Sequence, residues 1–191
     1  MKTTTVKKSM IHAALAMSLM TSAAIVHAKH EVAVMVGGQS MMPMKDIIDN
    51  AVMSADHTTL VAAVKAAGLV EALKGKGPFT VFAPVNSAFA ALPAGTVDTL
   101  LKPENKPLLT KVLTAHVVAG KFEQKDLISK ITAGGGTAEL DTLSGDKLRV
   151  MMNGNNVIVK DENGGVANIS TYDVYQSNGV IQVVDRVLLP K

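Results

Sequence analysis

The chain contains no cysteine and no tryptophan, and its only aromatic residues are four phenylalanines and two tyrosines. Without cysteine there is neither a disulfide framework nor a lipid-modified cysteine. The scarcity of rings leaves Tyr172 and Tyr175 as the tyrosines on which a sugar could stack, and in a regular strand they point to opposite faces. Beyond residue 28 no run of ~20 apolar residues occurs, so the mature chain carries no membrane-spanning helix. The sequence also lacks an Arg-Gly-Asp triplet and the Gly-x-Ser-x-Gly elbow of a serine hydrolase.

An excess of charge of one sign is missing as well, once the start of the chain is set apart. Lys2, Lys7 and Lys8 precede an apolar run from Ile11 to Val26, and Val26-His27-Ala28 forms a small-residue exit. This pattern reads as a secretory leader over residues 1–28, so the protein is expected to be exported, to the periplasm or outside the cell. The leader holds three of the 19 basic residues and no acid, which leaves 16 basic against 16 acidic residues. A mature chain of zero formal charge gives no sign of the basic surface that nucleic acid needs, so no nucleic-acid partner is expected. The 163 residues left of 191 suit one domain with its own core.

Residues 29–43 show no clear period and read as a flexible, methionine-containing arm; the domain is placed at 44–190. Met44, Ile47, Ile48, Ala51 and Val52 form a first helical stripe, and Leu60, Val61, Val64 and Ala67 a second, stopped by Gly68. Phe79 to Phe82 reads as a strand buried on both faces and ended by Pro84, with Asn86 as the cap of the helix that follows. Leu108, Leu109, Val112, Leu113 and His116 share one helix face. After Gly134-Gly135-Gly136 the apolar period falls to two. Turns at Asn153-Gly154, Asn163-Gly164 and Asn178-Gly179 then lead to a last strand from Val180 to Leu189. Helices first and a meander later give an α+β class.

Three polar residues sit in apolar patterns. Asp185 shares a strand face with Ile181, Val183, Val187 and Leu189; His116 ends a helix stripe; Thr80 lies inside the buried strand. Buried polar groups need partners. Thr80, Asn86, His116 and Asp185 are therefore expected to satisfy one another in a single cluster. Losing Asp185 or His116 would then cost about 2–4 kcal/mol. Threonine, histidine and aspartate are also the residue types of nucleophilic catalysis. A threonine inside a buried strand is poorly placed to meet substrate, so the structural reading is preferred, with no catalytic residue and no cofactor assigned. A separate alternative is a Cu(I) site, because His30, Met35, Met41, Met42 and Met44 offer imidazole and thioether ligands near the mature N-terminus. A small-ligand pocket between sheet and helices is a further alternative.

The stretch Thr80-Val81-Phe82-Ala83-Pro84-Val85-Asn86-Ser87-Ala88-Phe89 resembles the first signature of the fasciclin (FAS1) family. Asn178-Gly179-Val180-Ile181-Gln182-Val183-Val184-Asp185-Arg186-Val187-Leu188-Leu189-Pro190 resembles the second, and the family's intervening Tyr-His pair falls on Ala115-His116. The resemblance implies a β-wedge flanked by several short helices of the N-terminal half, in a single-domain secreted protein of bacterial type. It also implies a non-enzymatic role in adhesion to a cell-surface or matrix protein or glycan, and a structural bonding role for Thr80, Asn86, His116 and Asp185. Animal members contact integrins through an Asp-Ile pair and the Tyr-His region. Asp173-Val174 stands at the place of the first, which makes Asp173, Val174 and Tyr175 the candidate contact patch. Ala115 replaces the tyrosine, which argues against integrin, and Gln182 stands where the family usually has histidine.

Overall fold

The structure, a computed structural model, describes residues 32–191. The leader at 1–28 and His30 lie outside the described residues.

Val34–Val36 (β1) and Gln39–Met41 (β2) form a hairpin, turned by Gly37 and Gly38 at positive φ. This corrects the expectation of a flexible arm across 34–41. Val36 and Met41, 7% and 3% exposed, enter the core. Two three-residue strands are too short for a period to show.

Helix α1 spans Ile47–Ala51 and starts after Met44, because Asp46 caps it by accepting from Asp49 N at 2.8 Å. Met44, expected in the core, is 92% exposed. Next come α2 (Thr58–Ala67), closed by Gly68 in the left-handed region, and α3 (Val70–Lys74). Strand β3 (Phe79–Pro84) leads to α4 (Asn86–Ala90), α5 (Thr96–Leu100) and α6 (Lys106–Thr114). A short β4 (Val117–Ala119) and α7 (Gln124–Ala133) precede the meander. Its strands are β5 (Thr137–Asp141), β6 (Lys147–Asn153), β7 (Asn156–Lys160), β8 (Val166–Gln176) and β9 (Gly179–Val184).

One seven-stranded sheet runs in the order β4-β3-β9-β8-β7-β6-β5. The β3–β9 pair is parallel and the other pairs are antiparallel. The sheet curls until its ends meet: Leu143 N donates to Val117 O at 2.8 Å, and Thr142 bridges to Val118. This wedge has two apolar sides. On one, Val81, Ala83, Ile181 and Val183 pack against the helical half. On the other, Phe82 and Val184 join Leu148, Val150, Val157 and Val159 beneath Leu127 and Ile131 of α7. Central strands apolar on both faces are what an uninterrupted run such as Val81-Phe82-Ala83 requires, so the α+β wedge matches its expectation.

Two features of the sheet depart from simple alternation. Register shifts between Ile169 and Val174 bend β8, and Asp173 adopts φ 55° there. Strand β9 ends at Val184, whereas alternation suggests Leu189. Its last parallel partner is Pro84, which has no N–H with which to extend the ladder.

Candidate functional site

The early end of β9 decides the fate of the expected polar cluster. Asp185 lies past the strand and is exposed, where its two carboxylate oxygens accept from Asn168 N and Asn168 Nδ2, both at 2.7 Å. It is not a buried acid facing His116. Asp185→Ala should therefore destabilise by only about 1 kcal/mol, the worth of an exposed hydrogen-bonded pair. Urea unfolding would expose the error if the loss reached 3 kcal/mol or more.

The other three residues are also bonded elsewhere. Thr80, fully buried, donates to Gly120 O at 2.6 Å and accepts from Phe122 N at 2.8 Å, which ties β3 to the loop before α7. Asn86 does not cap its own helix, whose N-cap is Val85. Its Oδ1 instead accepts from Thr59 N at 3.0 Å and Thr58 Oγ1 at 3.2 Å, and its Nδ2 donates to Ala55 O at 2.8 Å. It thus caps α2 from outside. Among the described residues no hydrogen bond joins any two of Thr80, Asn86, His116 and Asp185. The single cluster is corrected to four separate bonding sets.

His116 is 2% exposed, with Nδ1 2.8 Å from Val112 O. Its Nε2 receives the N–H of Leu188 at 2.9 Å. A ring that donates at Nδ1 and accepts at Nε2 is neutral. Burial drives its pKa down to about 4 against the opposing Val112 bond and the Asp161 charge. The next N–H, that of Leu189, goes to Asp161 Oδ2 at 3.0 Å, while Asp161 Oδ1 accepts from Gly165 N at 2.7 Å. The buried carboxylate near His116 is thus Asp161, in the turn after β7. The sequence hid it, because Asp161 precedes Asn163-Gly164-Gly165 and reads as an exposed turn acid.

The candidate contact patch divides in the same way. Val174 is 1% exposed and belongs to the helix-side core, which removes it as a contact residue. Asp173 Oδ1 accepts from Gln124 N, at the first turn of α7, at 2.8 Å and from Gln182 Nε2 at 2.9 Å. Gln182, fully buried, also accepts from Asp173 N at 3.1 Å and donates to Phe122 O at 3.1 Å. Tyr175 is half-buried, with the Lys121 ammonium 4.5 Å from its ring centre. The Tyr172 hydroxyl accepts from Val157 N at 2.8 Å and its ring packs on the inner core. Sequence reasoning also missed His57. It is 3% exposed, bonded through Nδ1 to Ser54 Oγ at 2.8 Å, with Nε2 lacking a hydrogen-bond partner and burial holding its pKa low.

Of the alternative copper set, Met35 and Met41 lie on opposite faces of the hairpin. Met41 points into the core, whereas Met35, paired with Ser40, faces outward from the hairpin and is 64% exposed. Residues of opposite faces cannot converge on one ion. Met42 and Met44 are exposed, and His30 lies outside the described residues.

A model of the fasciclin domain matches residues 55–190. Protein sll1483 of Synechocystis is 49% identical over 144 residues, covering 75% of this chain and 73% of that protein. Immunogenic protein MPB70 of Mycobacterium bovis is 35% identical over 160 residues, covering 81% of this chain and 72% of its own. Transforming growth factor-beta-induced protein ig-h3 of Sus scrofa is 36% identical over 150 residues, 78% of this chain and 20% of that one. The solved FAS1 domain pair from the insect cell adhesion molecule Fasciclin I shares the fold, with a TM-score of 0.68 at 18% identity. That match covers 77% of this chain, which spans about half (51%) of the insect pair.

Proposed function

The chain belongs to the fasciclin domain family, and we propose that it is an exported, non-enzymatic module that mediates adhesion or protein interaction by surface contact. Fasciclin domains are typically adhesion-related, and the insect structural relative is named as a cell adhesion molecule. One observation carries the reading for this chain. The residue types that would serve as nucleophile and base, Thr80 and His116, are buried and spend their hydrogen-bonding capacity on main-chain groups. Among the described residues no helix is long and apolar enough to cross a membrane. Export rests on the leader pattern at residues 1–28, which predicts a mature protein starting at Lys29.

Contact is assigned to the surface around Tyr175, half-buried beside the Lys121 ammonium, since Val174 is core and Asp173 is spent on Gln124 and Gln182. Purified mature protein should attach to cells or matrix in a saturable way, and Tyr175→Ser should weaken attachment several-fold with little loss of thermal stability. Attachment that is absent, or that is unaffected by Tyr175→Ser, counts against the module or the patch respectively. A mature N-terminus that retains the leader would sink export.

A further inference from the structure

An open groove of about 600 Å³ lies where loop 75–78 runs against the β8–β9 turn. That size falls within the ~300–1,000 Å³ of ligand sites. Lys74, Lys76 and Lys121 line it, and no acidic side chain does. Lys74 shares its charge with Asp46 and Asp49 of the α1 end. Lys76 is exposed on the loop, and Lys121 is held at the rim over the Tyr175 ring, 4.5 Å from its centre.

The floor of the groove includes backbone that is closely packed at Gly77 and Gly179. A Cβ added at Gly77 would lie 1.9 Å from Asn178 O, and one at Gly179 would lie 2.2 Å from Phe79 O. Asn178 stiffens this floor by joining three elements. Its Nδ2 donates to Leu73 O at 2.8 Å and Gly75 O at 3.1 Å, while its Oδ1 accepts from Ile47 N at 3.1 Å. Lysine side chains are thus mounted around a groove of mixed lining whose β8–β9 turn is pinned by Asn178.

We propose that this groove binds the carboxylates of an acidic polysaccharide, a partner class that rests on the adhesion reading and makes it specific. Glycine, lysine and serine offer main-chain groups, ammonium groups and a hydroxyl, which suit sugar hydroxyls and uronate carboxylates. Pro43 and Pro78 are the apolar members of the lining, and no large apolar side chain stands among them to anchor a peptide side chain. A lysine ammonium meets a carboxylate as a point charge, so Lys76 and Lys121, with Lys74 already paired to Asp46 and Asp49, suit a chain that repeats one charge per sugar. An open groove admits such a chain. The zero formal charge of the mature protein does not favour nucleic acid.

The test is calorimetric titration of the mature protein with hexagalacturonate, with maltohexaose as the neutral control and galacturonate as the single-sugar arm. Binding to hexagalacturonate should be saturable and should weaken between about 50 and about 300 mM salt. Lys76→Glu and Lys121→Glu should each weaken it by roughly 10-fold, and Lys102→Glu, at an exposed lysine outside the groove, should leave it unchanged. No saturable binding, equal binding of maltohexaose, or an equal loss in Lys102→Glu overturns the proposal. Galacturonate binding as tightly as the hexamer overturns the polymer. If Lys121→Glu does not fold, Lys76→Glu decides alone. Adhesion is scored separately. Unchanged attachment by Lys76→Glu/Lys121→Glu removes the groove and leaves adhesion standing; hexagalacturonate binding by a protein that attaches to nothing does the reverse.

Discussion

Replacing His116 by alanine is expected to cost about 3–4 kcal/mol, seen as a lower urea midpoint with an unchanged slope. Two losses combine. The Leu188 N–H and the Val112 carbonyl, paired by the ring at 2.9 and 2.8 Å, are left buried without it. The space of an imidazole that is 2% exposed is also emptied between α6 and the segment after β9. The same ring makes stability depend on pH. Above pH ~6.5 neither the folded nor the unfolded chain protonates it. Below that the unfolded chain takes up a proton, while the folded ring, with a pKa of about 4, does not. Stability therefore falls as pH falls from about 6.5 to about 4, by up to roughly 3 kcal/mol. His57, also held low by burial, acts in the same direction. Most carboxylates titrate below ~5, so urea melts between pH 7.5 and about 5 isolate the imidazoles. The wild type should weaken across that interval, and His116→Ala should show a flatter profile. A wild-type midpoint that stays constant there is incompatible with a buried neutral ring.

Gln182→Leu is expected to cost about 2–4 kcal/mol although it places an apolar side chain among apolar neighbours. The fully buried amide of Gln182 serves three groups: the Asp173 N–H, the Asp173 carboxylate and the Phe122 carbonyl. Leucine leaves all three without that partner. Asp173 also holds the first turn of α7 through Gln124 N, so the damage should spread to that helix. In a domain of ~160 residues each kcal/mol moves Tm by about 2–4 °C, so a drop near 10 °C is the expected reading. A cycle with Asp173→Ala should show coupling of about 1–2 kcal/mol. Strict additivity would mean that the amide and the carboxylate do not support each other.

Both effects rest on residues whose partners could not be read along the chain. His116 was legible as a buried imidazole, because it closes the stripe of Leu109, Val112 and Leu113. Its partner was misplaced, because alternation through Val180–Leu189 assumes an unbroken strand. The parallel neighbour ends at Pro84, the strand stops with it, and the N–H groups of Leu188 and Leu189 turn to His116 and Asp161. Gln182 was legible as a departure from the family's histidine, but its bond to Asp173 depends on the register shift that bends β8. Asn86 was legible as a helix cap and caps the wrong helix, because Thr58 and Thr59 approach from 27 residues away or more.

From the order of residues alone came the α+β class, the two signature stretches, the strand buried on both faces and the helical half that covers it. Each of these depends on periodicity and turn chemistry, which act over a few neighbouring residues. Only the folded chain decided that Asp185 faces water, that Met41 is core while Met44 is not, and that three lysines line one groove. A side chain's exposure and its hydrogen-bond partner are set by where elements end and what packs across them, and those distances in space leave no local pattern in the chain.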